Sequence, residues 1–317
     1  MDEKKIITVV GATGRQGGAL ARAILADGNS GFAVRAVTRN SGSERARELE
    51  RLGAEVVQAD YDDGSSLGPA FDRSYGAYLV TNFWEHMSAE REKKQAKALA
   101  DAVGHAGVQH AIWSTLDDTR ECVPLDDDRM PTLQDSYKVP HFDAKAEADH
   151  YFTDAGAPTT FLRTTFYWEN LLDAFAPQRG EDGVLQLAFP MGNSRLSGIA
   201  VEDIGKCALA ILERGTDLIG ATVSIAGEHL RVAEMAAAIT EATGIPVQYL
   251  PMTPDAYRAL GFPGADEAGN MFQYYAECEE RFTTARDLDA VRELDPELQT
   301  FATWLEAHRD QLRKAWS

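Results

Sequence analysis

Gly11-Ala12-Thr13-Gly14-Arg15-Gln16-Gly17 constrains this chain more than any other stretch. The spacing is G-x-x-G-x-x-G. Before it runs Ile6-Ile7-Thr8-Val9-Val10, short and largely β-branched, and after it Leu20, Ala23 and Ile24 recur at helical spacing. Such a pattern predicts a buried parallel strand, a tight turn and a helix. A glycine-rich turn of this kind aims backbone N–H groups and the positive end of the helix at a pyrophosphate. The missing Cβ atoms permit the turn and the close approach of the phosphates. Gly11, Thr13, Gly14, Arg15, Gln16 and Gly17 are therefore the candidate phosphate-binding residues. Glycine spacing alone is a weak signal, and the flanking strand and helix give it its weight. The competing reading is an ordinary glycine-rich connection.

The second strand bears on which nucleotide. Phe32-Ala33-Val34-Arg35-Ala36-Val37-Thr38 reads as a strand and leads into Arg39, 22 residues after Gly17. NAD-binding folds place an Asp or Glu near here to hold the ribose 2′-hydroxyl. An arginine instead attracts a 2′-phosphate and can grip it with two N–H groups. Arg39, aided by Arg15, favours NADP over NAD. The bland alternative is a solvated charge at a strand end.

Strand and helix patterns alternate through the first half. Ala54–Ala59, Gly76–Val80, His110–Ser114 and Thr159–Arg163 read as further strands. Ser43–Leu52, the stripe Ala96, Leu99, Ala100 and Val103, and Ala144–Ala155 read as helices. Alternation with right-handed crossovers predicts an α/β, doubly wound parallel sheet of Rossmann type. Ligands of such sheets bind beyond the carboxyl ends of the strands. Asp60 and Tyr61 are placed to flank an adenine, and Thr81, Asn82 and Phe83 to line the nicotinamide ribose. Beyond Thr164 the rhythm changes. Phe166-Tyr167-Trp168 offers three rings that either cover a nicotinamide or aromatic substrate or simply pack inside a lobe. The expected organisation is a dinucleotide-binding domain over residues 1–165, with 195–228 returning to it. Residues 166–194 and 229–317 form a smaller α/β C-terminal lobe.

Composition narrows the functions. The 317 residues carry a formal net charge of −19, which argues against direct nucleic-acid binding. Cys122, Cys207 and Cys278 are far apart and show neither metal nor disulfide spacing. That sparse, odd count fits a reducing cytoplasm. Met1-Asp2-Glu3-Lys4-Lys5 leads directly into the first strand without a signal peptide. No apolar run reaches the roughly 20 residues that span a bilayer. Asp126-Asp127-Asp128 lacks further ligand spacing and reads as a solvated loop, so no metal site is expected.

Several segments together resemble the NmrA-like branch of the atypical short-chain dehydrogenases/reductases. The glycine turn and Val37-Thr38-Arg39-Asn40 carry the likeness, as do Val80-Thr81-Asn82-Phe83-Trp84-Glu85 and His141-Phe142-Asp143-Ala144-Lys145. More specific are Met252-Thr253-Pro254, Leu260-Gly261-Phe262-Pro263-Gly264-Ala265 and Asn270-Met271-Phe272. Within that branch the whole chain resembles the HSCARG-type NADPH-sensing regulators. The resemblance implies NADP(H) binding by the glycine turn and Arg39, a Rossmann domain and a small C-terminal lobe.

Most short-chain dehydrogenases use Tyr-x-x-x-Lys on one helix face. The lysine lowers the tyrosine pKa and holds the nicotinamide ribose, and the tyrosine passes a proton to the carbonyl. Here histidine replaces the tyrosine, giving His141 and Lys145, and Ser114 stands in the place of the substrate-polarising serine. Two readings stay open. In one, the usual acid is lost and the protein is a redox sensor acting on a partner protein, with Lys145 still holding cofactor. In the other, His141 donates the proton, as an imidazole can near neutral pH, and the protein is an NADPH-dependent reductase of a ketone or quinone. His141 also reads as a plain helix-start residue after Pro140. Tyr137 is a weaker candidate, since Val139-Pro140 argues against a helix continuing from it. A homodimer is compatible with either reading.

Overall fold

A computed structural model describes residues 4–316; the Met1–Glu3 lead lies outside the described residues. The chain runs through β1 (Lys5–Val10), α1 (Arg15–Ala26), β2 (Phe32–Thr38), α2 (Glu44–Arg51), β3 (Glu55–Gln58) and α3 (Gly64–Phe71). It continues through β4 (Gly76–Leu79), α4 (Ala89–Ala106), β5 (His110–Thr115), α5 (Pro140–Asp154) and β6 (Thr159–Arg163). Then come β7 (Phe166–Tyr167), β8 (Gln178–Arg179), β9 (Leu185–Leu187), β10 (Arg195–Ile199), α6 (Val201–Glu213) and β11 (Thr222–Ser224). The last elements are β12 (Glu228–Arg231), α7 (Val232–Thr243), β13 (Val247–Tyr249), α8 (Pro254–Arg258), α9 (Ala265–Glu277), α10 (Glu279–Thr284), α11 (Leu288–Leu294) and α12 (Phe301–Trp316).

These elements form two compact units. The first comprises residues 1–118, 141–164 and 201–224, and the second 119–140, 165–200 and 225–317. Residues 119–140, 165, 195–200 and 225–228, which the sequence reading places in the first domain, thus group with the second unit.

The first unit carries a seven-stranded sheet in the order β11-β6-β5-β4-β1-β2-β3, with every pairing parallel. The chain leaves β1 toward β2 and β3, then returns to place β4 on its other side. The topological switch point therefore lies at the carboxyl ends of β1 and β4, where such sheets bind ligands. The strands read as apolar runs because helices cover both faces. Val10, Leu79 and Trp113 pack with Leu67 and Phe71 of α3, Leu99 and Val103 of α4, and Phe152 of α5. Each large apolar side chain buried this way contributes about 1.5–3 kcal/mol. The Ser88 hydroxyl accepts the Arg91 N–H at the start of α4, and left-handed Gly107 ends the helix.

Two helices depart from the sequence reading. α3 is concealed by Gly64, Gly68 and Pro69, yet Asp63 caps it and Leu67, Ala70 and Phe71 are buried. Core packing outweighs poor propensity there. α5 starts at Pro140 rather than Ala144. Proline suits a first helical position, where no N–H is needed. His141 and Lys145 therefore share one helix.

In the second unit β10 pairs antiparallel with β12 and parallel with β7, and β9 pairs with β8 and β13. Asn270 Nδ2 donates to the carbonyls of Pro131 and Lys138 at 2.8 and 2.6 Å, and Gln273 Nε2 to that of Arg129 at 2.8 Å. A Cys122–Cys278 disulfide, Cα atoms 6.4 Å apart, closes the same face. This overturns the expectation of unpaired cysteines. A separation of 156 residues leaves no local signature, and Cys207 is buried outside the disulfide. Tyr137 exchanges backbone hydrogen bonds with Leu133 at 3.1 and 2.7 Å and is buried. Asp127 is paired to Arg129. Among the described residues no helix is long and apolar enough to cross a membrane.

Candidate functional site

The turn between β1 and α1 is made by Gly11–Gly14. Gly11 has φ +66°, and the Gly14 N–H donates to the Gly11 carbonyl at 2.8 Å. A Cβ on Gly17 would lie 2.6 Å from that carbonyl oxygen, so α1 reaches the turn only because residue 17 has none. Gly14 is exposed and precedes the helix without a side-chain cap. Thr13 Oγ1 lies 3.3 Å from Thr38 Oγ1, tying the turn to the end of β2. Arg15 opens α1 and is half-buried. Gln16 Oε1 accepts from the Ser114 hydroxyl at 2.8 Å and from Tyr78 Oη. The Ser114 hydroxyl is thus engaged by Gln16.

Arg39 follows β2 and grips a carboxylate. Its Nη1 and Nη2 donate to Glu85 Oε2 and Oε1, each at 2.7 Å. Asn82 Nδ2 steadies the same carboxylate at 3.1 Å. The Arg39 hydrogen bond lowers the pKa of Glu85, and its counterpart raises that of Arg39. Asp60 and Tyr61 follow β3. Burial pushes the Tyr61 phenol up to about 12, the Glu85 charge adding to it and Arg39 opposing it. Asp60 Oδ1 accepts the Asp62 N–H at 2.9 Å. Arg39, Asp60, Tyr61 and Glu85 are therefore one electrostatic neighbourhood.

Lys145 is buried, and its ammonium faces three acceptors. They are Thr81 Oγ1 at 2.8 Å, the Thr81 carbonyl at 3.3 Å and Glu92 Oε1 at 2.9 Å. An ammonium has three protons. Thr81 Oγ1 in turn donates to Glu92 Oε1 at 2.5 Å, and His86 Nε2 lies 3.4 Å from Glu92 Oε2. Burial opposes charge on Glu92. The Lys145 ammonium, the neighbouring His86 and the hydrogen bonds from Thr81 and Lys145 outweigh it and hold the carboxyl at about 2.

His141 is buried in an aromatic wall, its ring centroid 5.0 Å from Trp84, 5.7 Å from Phe83 and 4.8 Å from Phe142. Trp113 Nε1 donates to Asp149 Oδ1 at 3.0 Å, and burial raises that carboxyl to about 7 against the pull of Thr115, Arg163, Trp113 and Lys145. Phe166 and Tyr167 belong to the second unit. There the Phe166 ring packs against Phe175, Phe189 and Phe272 at 5.6–6.2 Å, and Trp168 is buried against Phe301 and Trp304. Both rings are committed to that unit's core, and Tyr167 is half-buried.

Glu85, Glu92 and Asp149 were not singled out as site residues by the sequence. Glu92 looks like a solvated first-turn acid of α4. Asp149 did carry a signal, since it follows Lys145 at a spacing of four and shares its helix face.

Residues 3–305 match the model of the NmrA-like family. "NmrA-like family domain-containing oxidoreductase FrzB" from Cladobotryum sp is 28% identical over 291 residues, covering 85% of this chain and 83% of that protein. The fold resembles that of NmrA, a negative transcriptional regulator solved in complex with NAD (TM-score 0.81, 22% identity, 99% and 98% of the two chains). It also resembles triphenylmethane reductase of Citrobacter sp. complexed with NADP(H) (TM-score 0.74, 18% identity, 98% and 99%).

Proposed function

The chain belongs to the NmrA-like family, and from that premise we propose that it binds NADP(H) as a redox signal and regulates a partner protein, with weak or no dehydrogenase chemistry of its own. The residues fit such a cofactor. The exposed, Cβ-free Gly14 opens α1 beside the switch point, and the Arg39 fork already holds a two-oxygen anion. Gly11–Gly17 would hold the pyrophosphate, Arg39 the 2′-phosphate, and Asp60 and Tyr61 the adenosine end. Asn82 and Phe83 would line the nicotinamide end, with Lys145 beside them. Bound NADPH would supply a hydride.

One observation carries the sensor reading. Lys145, which would orient a nicotinamide ribose, has its ammonium within 3.3 Å of three acceptors on Thr81 and Glu92. Ser114 is engaged by Gln16 and Lys145 by its acid, so the groups around His141 are not set to activate a carbonyl. A cytoplasmic setting belongs to this proposal, and the Cys122–Cys278 disulfide stands against it, because disulfides are rare in that compartment.

A second reading, an NADPH-dependent reductase of a ketone or quinone, is favoured by His141 and Lys145 lying on one face of α5. The oxidoreductase name of the relative FrzB supports it too. Calorimetry with NADP⁺ and NAD⁺ tests the cofactor: Arg39→Ala weakens NADP⁺ specifically, and equal loss for both refutes the 2′-phosphate role. Light scattering and partner pull-downs at varied NADPH to NADP⁺ ratios test the sensor, which fails if both ignore the ratio. NADPH consumption across a carbonyl and quinone panel, lost in His141→Ala and Lys145→Ala, would establish the reductase instead.

A further inference from the structure

Arg39 and Glu85 stand on either side of β1. Arg39 follows β2, Glu85 lies in the Phe83–Glu85 turn after β4, and the sheet order places β1 between them. Their ion pair therefore joins the two neighbours of the glycine-turn strand at the carboxyl edge. It is a fork-on-fork pair, with both terminal guanidinium nitrogens on the two carboxylate oxygens at 2.7 Å. That edge of a guanidinium accommodates one bidentate anion. Asn82 adds a hydrogen bond at 3.1 Å, so the carboxylate is seated rather than loose. The same short turn carries Phe83 and Trp84, whose rings lie against His141.

We propose that Glu85 is a resident competitor for the 2′-phosphate site. NADP(H) must displace it from Arg39, whereas NAD(H), lacking the phosphate, leaves the pair closed. Glu85 is thereby a specificity-determining residue that lowers the preference for the phosphorylated cofactor. Its displacement also removes the tie between Arg39 and the turn that carries Trp84, so Trp84 reports whether the phosphate is present. This inference rests on the NADP(H) reading above.

The test is calorimetry of NADP⁺ and NAD⁺ on the full chain, as wild type, Arg39→Ala and Glu85→Gln. Glutamine keeps the shape and removes the charge, and the position is exposed. NADP⁺ is expected to bind Glu85→Gln about fivefold more tightly, the worth of a well-aligned exposed ion pair, with NAD⁺ changed less than about twofold. Trp84 gives a second readout as the fluorescence difference between wild type and Trp84→Phe. NADP⁺ shifts the Trp84 emission in wild type, and NAD⁺ does not. An unchanged NADP⁺ to NAD⁺ affinity ratio in Glu85→Gln, or weaker NADP⁺ binding, overturns the proposal. If Arg39→Ala still loses NADP⁺ in that case, only this inference falls. If wild type binds neither dinucleotide, the functional reading falls and takes this one with it.

Discussion

Glu92→Gln measures how firmly Lys145 is held. Glu92 is fully buried beside Lys145, with its carboxyl at about 2 against 4.5 for the ordinary group. That gap, at about 1.4 kcal/mol per pH unit, makes the charged carboxylate worth about 3 kcal/mol to the fold. An independent route agrees, because removing one partner of a buried ion pair costs about 3–5 kcal/mol. A carboxyl lowered in the folded state stabilises above its unfolded value and loses that contribution as pH falls through the folded one. The wild-type advantage should therefore be complete at pH 7 and smaller by roughly 1 kcal/mol at pH 4. Equilibrium urea unfolding, read on the transition of the unit carrying α4 and α5, gives the loss. The companion variant Lys145→Met, alone and with Glu92→Gln, closes a double-mutant cycle. The double variant should recover much of the loss, since an uncompensated ammonium is no longer buried. A loss under about 1 kcal/mol for Glu92→Gln, or a cycle with no coupling, refutes the argument.

Gly17→Ala sets a helix gain of up to about 1 kcal/mol against a Cβ 2.6 Å from the Gly11 carbonyl oxygen. Backbone must shift, so thermal unfolding should show a net loss of about 1–3 kcal/mol and NADP⁺ binding should weaken; a stabilised variant with intact binding contradicts this packing. Asp149 has its carboxyl raised by burial to about 7 from 3.8, so the wild-type fold loses stability as pH climbs through that window. Asp149→Asn should gain up to about 4 kcal/mol at pH 8 and little at pH 4, and equal gains at both would sink the idea. Unreduced, denatured protein should titrate one thiol, Cys207, out of three cysteines. Three thiols would mean that the Cys122–Cys278 pair is open in the isolated protein. If the pair is closed, its reduction lowers stability by at most about 5 kcal/mol from loop entropy.

The parallel sheet was legible because its strands are buried on both faces and read as apolar runs. The glycine turn was legible because Gly11 takes a positive φ and Gly17 has no room for a Cβ. α3 was not legible, since two glycines and a proline conceal a helix that core contacts hold in place. The same limit applies to the site. Arg39 and Lys145 could be read as cations at the right places, because their spacing from the turn and from His141 is local. Their partners could not, because Glu85 and Glu92 meet them only through the sheet order, and long-range pairing leaves no periodic trace. Phe166 shows the converse failure. An aromatic run after a strand suits a ligand wall and a core equally, and here the ring lies among Phe175, Phe189 and Phe272.

Both cations expected to meet a cofactor are held by acids from one segment, Asn82–Glu92, but with unequal strength. The Arg39–Glu85 pair is exposed and worth at most about 1 kcal/mol, whereas breaking the buried Lys145–Glu92 pair by removing one partner costs about 3 kcal/mol. A 2′-phosphate can displace the first and leave the second intact. A sensor needs only that first release. A reductase needs Lys145 as well, and therefore the second. Glu92→Gln then separates the two readings by activity as well as by stability. If the lysine is withheld from chemistry by its acid, wild type is silent on a carbonyl and quinone panel with NADPH, and folded Glu92→Gln gains turnover that Glu92→Gln/Lys145→Met lacks. If wild type already consumes NADPH at a rate that Glu92→Gln does not raise, the Glu92 contact is no lock. The lysine then reaches the cofactor without leaving its acid, and the reductase reading replaces the sensor.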